Sequence, residues 1–258
     1  MIETEPKVYL IARPALIWDA VIEYLELVGG EDWLDSGTHD EKDAESLVEF
    51  CGRYCYRSWK PGLNKNVTKI RTDQREYFDN LLKSRHGSVL EHAYYTFIFH
   101  NVSRVFTHEL VRHRAGVAIS QESLRYVRLT ELGFRVPPGL EPMRQSVISM
   151  VERLEEFQIE AADKLGLDDD GVPFHVKKEV TSALRRLAPL GLSTGMVWTA
   201  NIRTLRHVIA ARTAAGAEEE IRFVFERVGY IMQQEAPLLF QDFNLDVDGS
   251  WVPEYQKV

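Results

Sequence analysis

Apolar side chains recur at helical spacing along most of this chain and at strand spacing in only a few short stretches. Residues 15–28 place Leu16, Ile17, Ala20, Val21, Tyr24 and Leu25 on one helical face, and Gly29-Gly30 supplies the stop. The same spacing predicts helices over 44–57, 71–85, 103–114, 143–166, 174–188, 202–214 and 217–235. β-Branched and aromatic residues concentrate in His92–Asn101, the clearest strand, with Thr194–Thr199 as a second. Residues 7–12, KVYLIA, read as a short buried strand closed by Arg13-Pro14. The acidic stretch Asp32–Asp43 reads as a loop, and Pro137, Pro138 and Pro142 mark a break. From Ala115 to Leu129 the periodicity fades and the chain then reads extended. Long helices with few strands predict an α+β fold. No repeat or flexible linker divides the sequence, so residues 1–258 are expected to form a single domain.

Composition narrows the class. A chain of 258 residues with 45% hydrophobic and 27% charged content is neither disordered, collagenous nor a disulfide-stapled module. No apolar run reaches the roughly 18 residues of a membrane span. The start, MIETEPKVYL, lacks the basic and apolar regions of a signal peptide, and Cys51 and Cys55 make no disulfide framework. A cytoplasmic location is the expectation. The formal net charge of −8 argues against a general electrostatic grip on nucleic acid.

The basic residues are nonetheless unevenly placed. No lysine occurs between Lys83 and Lys164, where Arg85, Arg104, Arg112, Arg114, Arg125 and Arg128 lie. None occurs between Lys178 and Lys257, where Arg185, Arg186, Arg203, Arg206 and Arg212 lie. Arginine's planar fork binds phosphate and carboxylate bidentately, so these tracts suit sites for small phosphorylated ligands as well as they suit ordinary surface arginines.

Histidine is concentrated too, at His86, His92, His100, His108 and His113. HELVRH resembles the zinc motif H-E-x-x-H, but its second histidine is one residue late. Five helical residues rotate by about 500°, leaving His108 and His113 about 140° apart, so no metal site is expected. The two cysteines read as small packed side chains. The segment from Arg112 to Tyr126, RHRAGVAISQESLRY, is a charged face or a phosphate loop built on Arg125 and backbone amides. Downstream, Asn201 or Thr199 suits a helix N-cap, and Arg203 and His207 share a face, with Arg212 further along. A capped amphipathic helix whose arginines meet Glu218–Glu220 explains that set equally.

The order His86…Glu91…RHR…S-x-R-Y…N-x-R…R resembles the flavin-dependent thymidylate synthases, a family marked by RHR, seven residues and then serine. The resemblance covers roughly residues 84–225. It rests on RHR together with Ser123–Leu124–Arg125–Tyr126, the upstream HGSVLEH and the downstream NIRTLRHVIAAR. It implies that family's α+β fold, an antiparallel sheet packed with several long helices. It implies site residues as well. His86, Ser88 and Glu91 match the flavin-side motif, the histidine lying near the isoalloxazine and folate. Arg112, His113 and Arg114 match RHR, which contacts FAD and borders the nucleotide. Gln121, Glu122, Ser123, Leu124 and Arg125 match the nucleotide loop, with Ser123 and Arg125 near the phosphate and Gln121 also at the cofactor. Arg185 matches a further nucleotide-binding arginine. Asn201, Arg203 and His207 match flavin-binding positions. Arg212 matches the catalytic arginine that pairs with uracil and favours its N3-ionised form.

The implied reaction uses no enzymic nucleophile, so Ser123 is a binding serine. FAD is reduced by NADPH, and a methylene carbon passes from 5,10-methylenetetrahydrofolate to C5 of dUMP and becomes the methyl group of dTMP. The cofactors carry the hard chemistry while the protein orients and polarises. The family is homotetrameric, with active sites shared between subunits.

Several positions depart from the pattern. Eight residues, Ala115–Glu122, separate RHR from Ser123. Glu109, at a nucleotide-binding position, stands where glutamine is usual, and a carboxylate accepts but does not donate. Leu124 replaces a smaller or polar residue, and Gly216 stands where histidine is common. A longer loop admits a second expectation, the same C5 methylation on the ribonucleotide UMP. An inactive flavin- or nucleotide-binding protein is the reading from another class.

Overall fold

The computed structural model describes residues 1–36, 43–127, 129–256 and 258. Strands β1 (Ile2–Glu3) and β2 (Lys7–Ala12) precede helix α1 (Trp18–Val28), a 3-10 turn at Glu31–Ser36, and helices α2 (Asp43–Tyr56) and α3 (Gln74–Lys83). A second 3-10 turn, Gly87–His92, leads into β3 (Tyr94–Ser103), α4 (Arg104–Leu110), β4 (Val117–Gln121) and β5 (Gly133–Phe134). Helices α5 (Arg144–Lys164) and α6 (Phe174–Leu184) are followed by β6 (Ser193–Asn201), α7 (Ile202–Thr213) and α8 (Glu219–Glu235). A short hairpin, β7 (Phe243–Leu245) with β8 (Trp251–Pro253), comes last. Half of the expected acidic loop, residues 37–42, and Arg128 lie outside the described residues. No helix among the described residues is long and apolar enough to cross a membrane.

The main sheet is antiparallel in the order β2-β3-β6-β4. Alternation on β3 turns Tyr95, Phe97 and Phe99 inward, and the register sets Phe97 against Trp198 and Phe99 against Met196. Leu205, Val208 and Ile209 of α7 and Val224, Phe225 and Val228 of α8 join the same cluster with Phe106 and Leu110 of α4. Each such fully buried side chain contributes about 1.5–3 kcal/mol, so packing on the sheet, more than helix propensity, holds these helices in place.

Strand β2 forms where the sequence predicts it but is not buried. It is an edge strand that turns only Val8 and Leu10 toward the core and leaves Tyr9 and Ile11 exposed. Helix α4 stops at Leu110, short of the predicted 114, so Arg112, His113 and Arg114 leave the helix as a loop. That loop is pinned at Gly116, whose φ of +66° favours glycine and where a Cβ would stand 2.3 Å from Asn201 Nδ2. Asn201 itself caps α7, its Oδ1 accepting from Thr204 N at 2.9 Å, while the Thr204 hydroxyl donates to the Ala115 carbonyl at 2.7 Å. Sheet pairing, loop and cap thus bring the loop after α4 against the start of α7.

Candidate functional site

A cleft of about 1020 Å³ lies between this loop, α7 and the C-terminal hairpin. Seven of the predicted residues line it: Glu91, Arg112, His113, Arg114, Asn201, Arg203 and His207. They arrive by separate routes. Glu91 comes from the Gly87–His92 turn, RHR from beyond α4, and Asn201, Arg203 and His207 from the first turns of α7. Arg203 donates to Glu91 Oε1 at 2.6 Å and, through Nε, to the Val258 carbonyl at 3.0 Å. The opposite wall includes Trp251, Pro253 and Tyr255, which no motif predicted. A clue existed in the aromatic Trp251 and Tyr255 set in an otherwise polar tail.

The cleft fits a flavin dinucleotide. Its volume is at the upper end for ligand sites, one wall carries Arg112, Arg114 and Arg203 for a pyrophosphate, and the other is apolar and aromatic. His86 lies outside it, in a neighbouring pocket of about 410 Å³, stacked on Tyr56 with its Nε2 2.7 Å from the Tyr56 hydroxyl. Gly87 links the two places, backed against Arg203 and Val258, and Ser88 is exposed on the same turn.

Beside the cleft, three predicted residues converge. The Arg212 guanidinium donates from Nε to His113 Nε2 at 2.8 Å, from one terminal nitrogen to Glu109 Oε2 at 2.7 Å, and from the other to the Glu109 carbonyl at 3.1 Å. Arg212 therefore meets Glu109, while Glu219 pairs with Arg135 and Glu220 accepts from Ser103. Burial first, then the charge of Arg212 and the neighbouring His207, push the His113 pKa down to about 4. The ring is neutral near pH 7 and accepts through Nε2.

The nucleotide-loop residues are dispersed along the far end of β4. Gln121 donates to the Thr107 hydroxyl at 3.2 Å, and the Glu122 carboxylate accepts from Gly195 N at 2.9 Å. Ser123 Oγ accepts from Arg125 N, forming a local turn. The Leu124 side chain is buried among Leu129, Leu132 and Phe134, leaving its backbone as the part that could meet a ligand. Arg125 borders a depression of about 450 Å³ with His175, Lys178 and Arg186 of α6 and the turn after it, a lining that does not include Arg212. Arg185 lies on the other side of that turn, close enough to Arg104 to depress it electrostatically.

Arg104 was not singled out by any motif. Among the described residues its Nε is buried without a hydrogen-bond partner, and one terminal nitrogen donates to the Glu122 carbonyl. Burial followed by the Arg185 charge lowers its pKa, against the opposite pull of Glu122. Its place in the lysine-free tract was the available signal.

The family model described as thymidylate synthase complementing protein, Thy1, matches residues 38–238. A flavin-dependent thymidylate synthase from Mycobacterium marinum is 35% identical over 222 residues, covering 83% of this chain and 86% of the relative. One from Corynebacterium diphtheriae is 34% identical, covering 86% of this chain and 87% of its own. Among solved structures, the UMP/dUMP methylase PolB from Streptomyces cacaoi bound with 5-Br dUMP matches with a TM-score of 0.62 at 19% identity, over 93% of this chain and 95% of that one. Its complex with 5-Br UMP matches with a TM-score of 0.60 at 20% identity, over 93% and 94%. At these identities the likeness is one of fold.

Proposed function

The chain belongs to the Thy1 family, with flavin-dependent thymidylate synthases as its relatives, and from that premise we propose that it methylates dUMP reductively at uracil C5. The carbon donor is 5,10-methylenetetrahydrofolate and the reductant NADPH. Atoms balance as methylenetetrahydrofolate, dUMP, NADPH and one proton giving tetrahydrofolate, dTMP and NADP⁺. The donor is released at the tetrahydrofolate level because the nicotinamide supplies the hydride. The flavin, when bound, supplies the electrons that turn the transferred carbon into a methyl group. Arg112, Arg114, Arg203 and Asn201 would hold it in the cleft, with His113 and His207 beside it and Gln121 near the nucleotide edge. His86, Ser88 and Glu91 border the folate side.

The observation that carries this reading is the state of Arg212. Three of its five N–H groups are taken by Glu109 and His113, which leaves one on each terminal nitrogen for a ligand. A charge fixed in this way stabilises negative charge on uracil as C5 becomes nucleophilic, without reorganising during the reaction. Arg104 and Arg185 lie toward the opposite end of α4, which rises about 7.5 Å from Arg104 to Glu109. That spacing suits a nucleotide with its phosphate at the first pair and its base at Arg212. Arg125 borders the separate depression beside α6, and we assign Ser123 and Arg125 to the nucleotide of a neighbouring subunit in a homotetramer with shared sites. Residues 1–258 act as one domain of a cytoplasmic enzyme.

Release of tritium from C5-labelled nucleotide, in the presence of FAD, NADPH and methylenetetrahydrofolate, tests the reaction. Release from dUMP is expected. Release from UMP alone would make the ribonucleotide the substrate. No release from either by FAD-loaded protein would leave a flavin-binding protein without this activity.

A further inference from the structure

The nucleotide side and the cofactor side of this site meet where Arg212 touches His113. Arg212 does not line the large cleft, whereas His113 does, and the two meet through Nε–H and Nε2 at 2.8 Å. A neutral imidazole can accept at Nε2 only with its proton on Nδ1. The ring has little freedom to do otherwise. His207 of α7 packs edge-on at 5.5 Å, and RHR is anchored by the Gly116 contact to Asn201 and by the bond of Thr204 to the Ala115 carbonyl. Glu109 fixes the guanidinium at its two terminal nitrogens, but a carboxylate oxygen and a carbonyl of one residue still allow the plane to tilt about the line between them. The third point, on Nε, removes that freedom.

We propose that His113, the middle residue of RHR, is the positioning residue of Arg212: its Nε2 lone pair fixes the plane in which the arginine presents its two remaining N–H groups to the nucleotide. The inference rests on the reading of Arg212 as the uracil-facing arginine, and it assigns to His113 a task distinct from contacting the cofactor. It also explains why a histidine serves between two arginines. A permanently cationic residue there would repel Arg212, and an aliphatic one would leave the Nε–H without an acceptor.

The test uses the full-length protein with FAD bound, and the variants His113→Leu and His113→Gln. A glutamine carbonyl can replace the acceptor and leucine cannot. Per FAD-loaded subunit, the leucine variant is expected to bind dUMP roughly tenfold more weakly in calorimetry, the cost of an acceptor lost from a charged donor. The glutamine variant recovers most of that loss. In an Arg212→Lys background the leucine substitution has no further effect on dUMP affinity. Loss of FAD with unchanged dUMP affinity per loaded subunit would make His113 a cofactor contact only and overturn the inference. A readout that needs no nucleotide is the ¹⁵N-labelled Arg212 Nε–H resonance. It is expected to exchange slowly in the unmodified protein and rapidly in the leucine variant, and equal exchange in both would also overturn it. If the unmodified protein binds no dUMP yet shows the protected Nε–H, the functional reading fails and the positioning contact stands.

Discussion

At the scale of single residues, the proposed chemistry depends on how few of Arg212's hydrogen-bond donors are left free. Arg212→Lys replaces a planar fork anchored at three points with a point charge on a flexible stem. The fold and most FAD binding are expected to persist, because α7 is held by Leu205, Val208 and Ile209 in the core, while turnover falls by two orders of magnitude or more, on the order of losing one preorganised donor. Steady-state kinetics beside a flavin absorbance spectrum check this, and unchanged turnover would remove Arg212 from the mechanism. His113 carries a pH signature of its own. In the folded protein it takes up its proton only near pH 4, and in the unfolded chain near 6.5. Between those values the unfolded state binds more protons, so stability is full above about pH 6.5 and declines as pH falls toward 4. Melting temperatures across that window are expected to drop more steeply for the unmodified protein than for His113→Gln, and parallel curves would mean that the histidine titrates normally.

At the scale of elements, the site is made by the junction of the RHR loop with the start of α7. Gly116→Ala tests that junction. An alanine there meets a positive φ and a Cβ 2.3 Å from Asn201 Nδ2, so either the loop or the helix cap must move. A stability loss above the ~1 kcal/mol typical of deleting the Asn201 cap is expected, together with reduced FAD content. Denaturant unfolding of Gly116→Ala beside Asn201→Ala measures both, and full FAD content in Gly116→Ala would show that the loop is not part of the cofactor wall. This junction also marks where the sequence was informative. Helical periodicity located α4 and α7, and Asn201 was readable as a cap because its side-chain chemistry is local. The burial of β2 was misread because an apolar run of six does not reveal whether the strand is central or at an edge, which depends on partners far away in the chain. The hairpin of β7 and β8, three residues each, falls below any periodic signal, yet it brings Trp251 to the cleft. The Glu109 to Arg212 pair joins positions 103 residues apart, so each residue is readable by itself while their meeting depends on the fold.

At the scale of the whole molecule, the placement of the nucleotide loop bears on assembly. Strand β4 leaves RHR beside Ala200 and ends at Gln121 beside Met196, delivering Ser123 and Arg125 to the end of the sheet near α6. There Phe174 stacks on Tyr126, and Lys178 sits 5.5 Å over the same ring, which fixes the loop against α6. On the proposed function, that loop serves a nucleotide whose uracil is held by the Arg212 of another copy of the chain. Subunit mixing follows as the test. Arg125→Ala subunits lack the phosphate contact and Arg212→Lys subunits lack the uracil contact, so each homo-oligomer is expected to be nearly inactive. If one chain supplies Arg212 and another supplies Arg125, random mixing leaves about a quarter of the sites with both residues intact, and activity returns to that level. If each site is built from one chain, every site keeps one defect and no activity returns. Native mass spectrometry of the mixture establishes that hetero-oligomers have formed, so that a silent mixture containing them argues directly against shared sites.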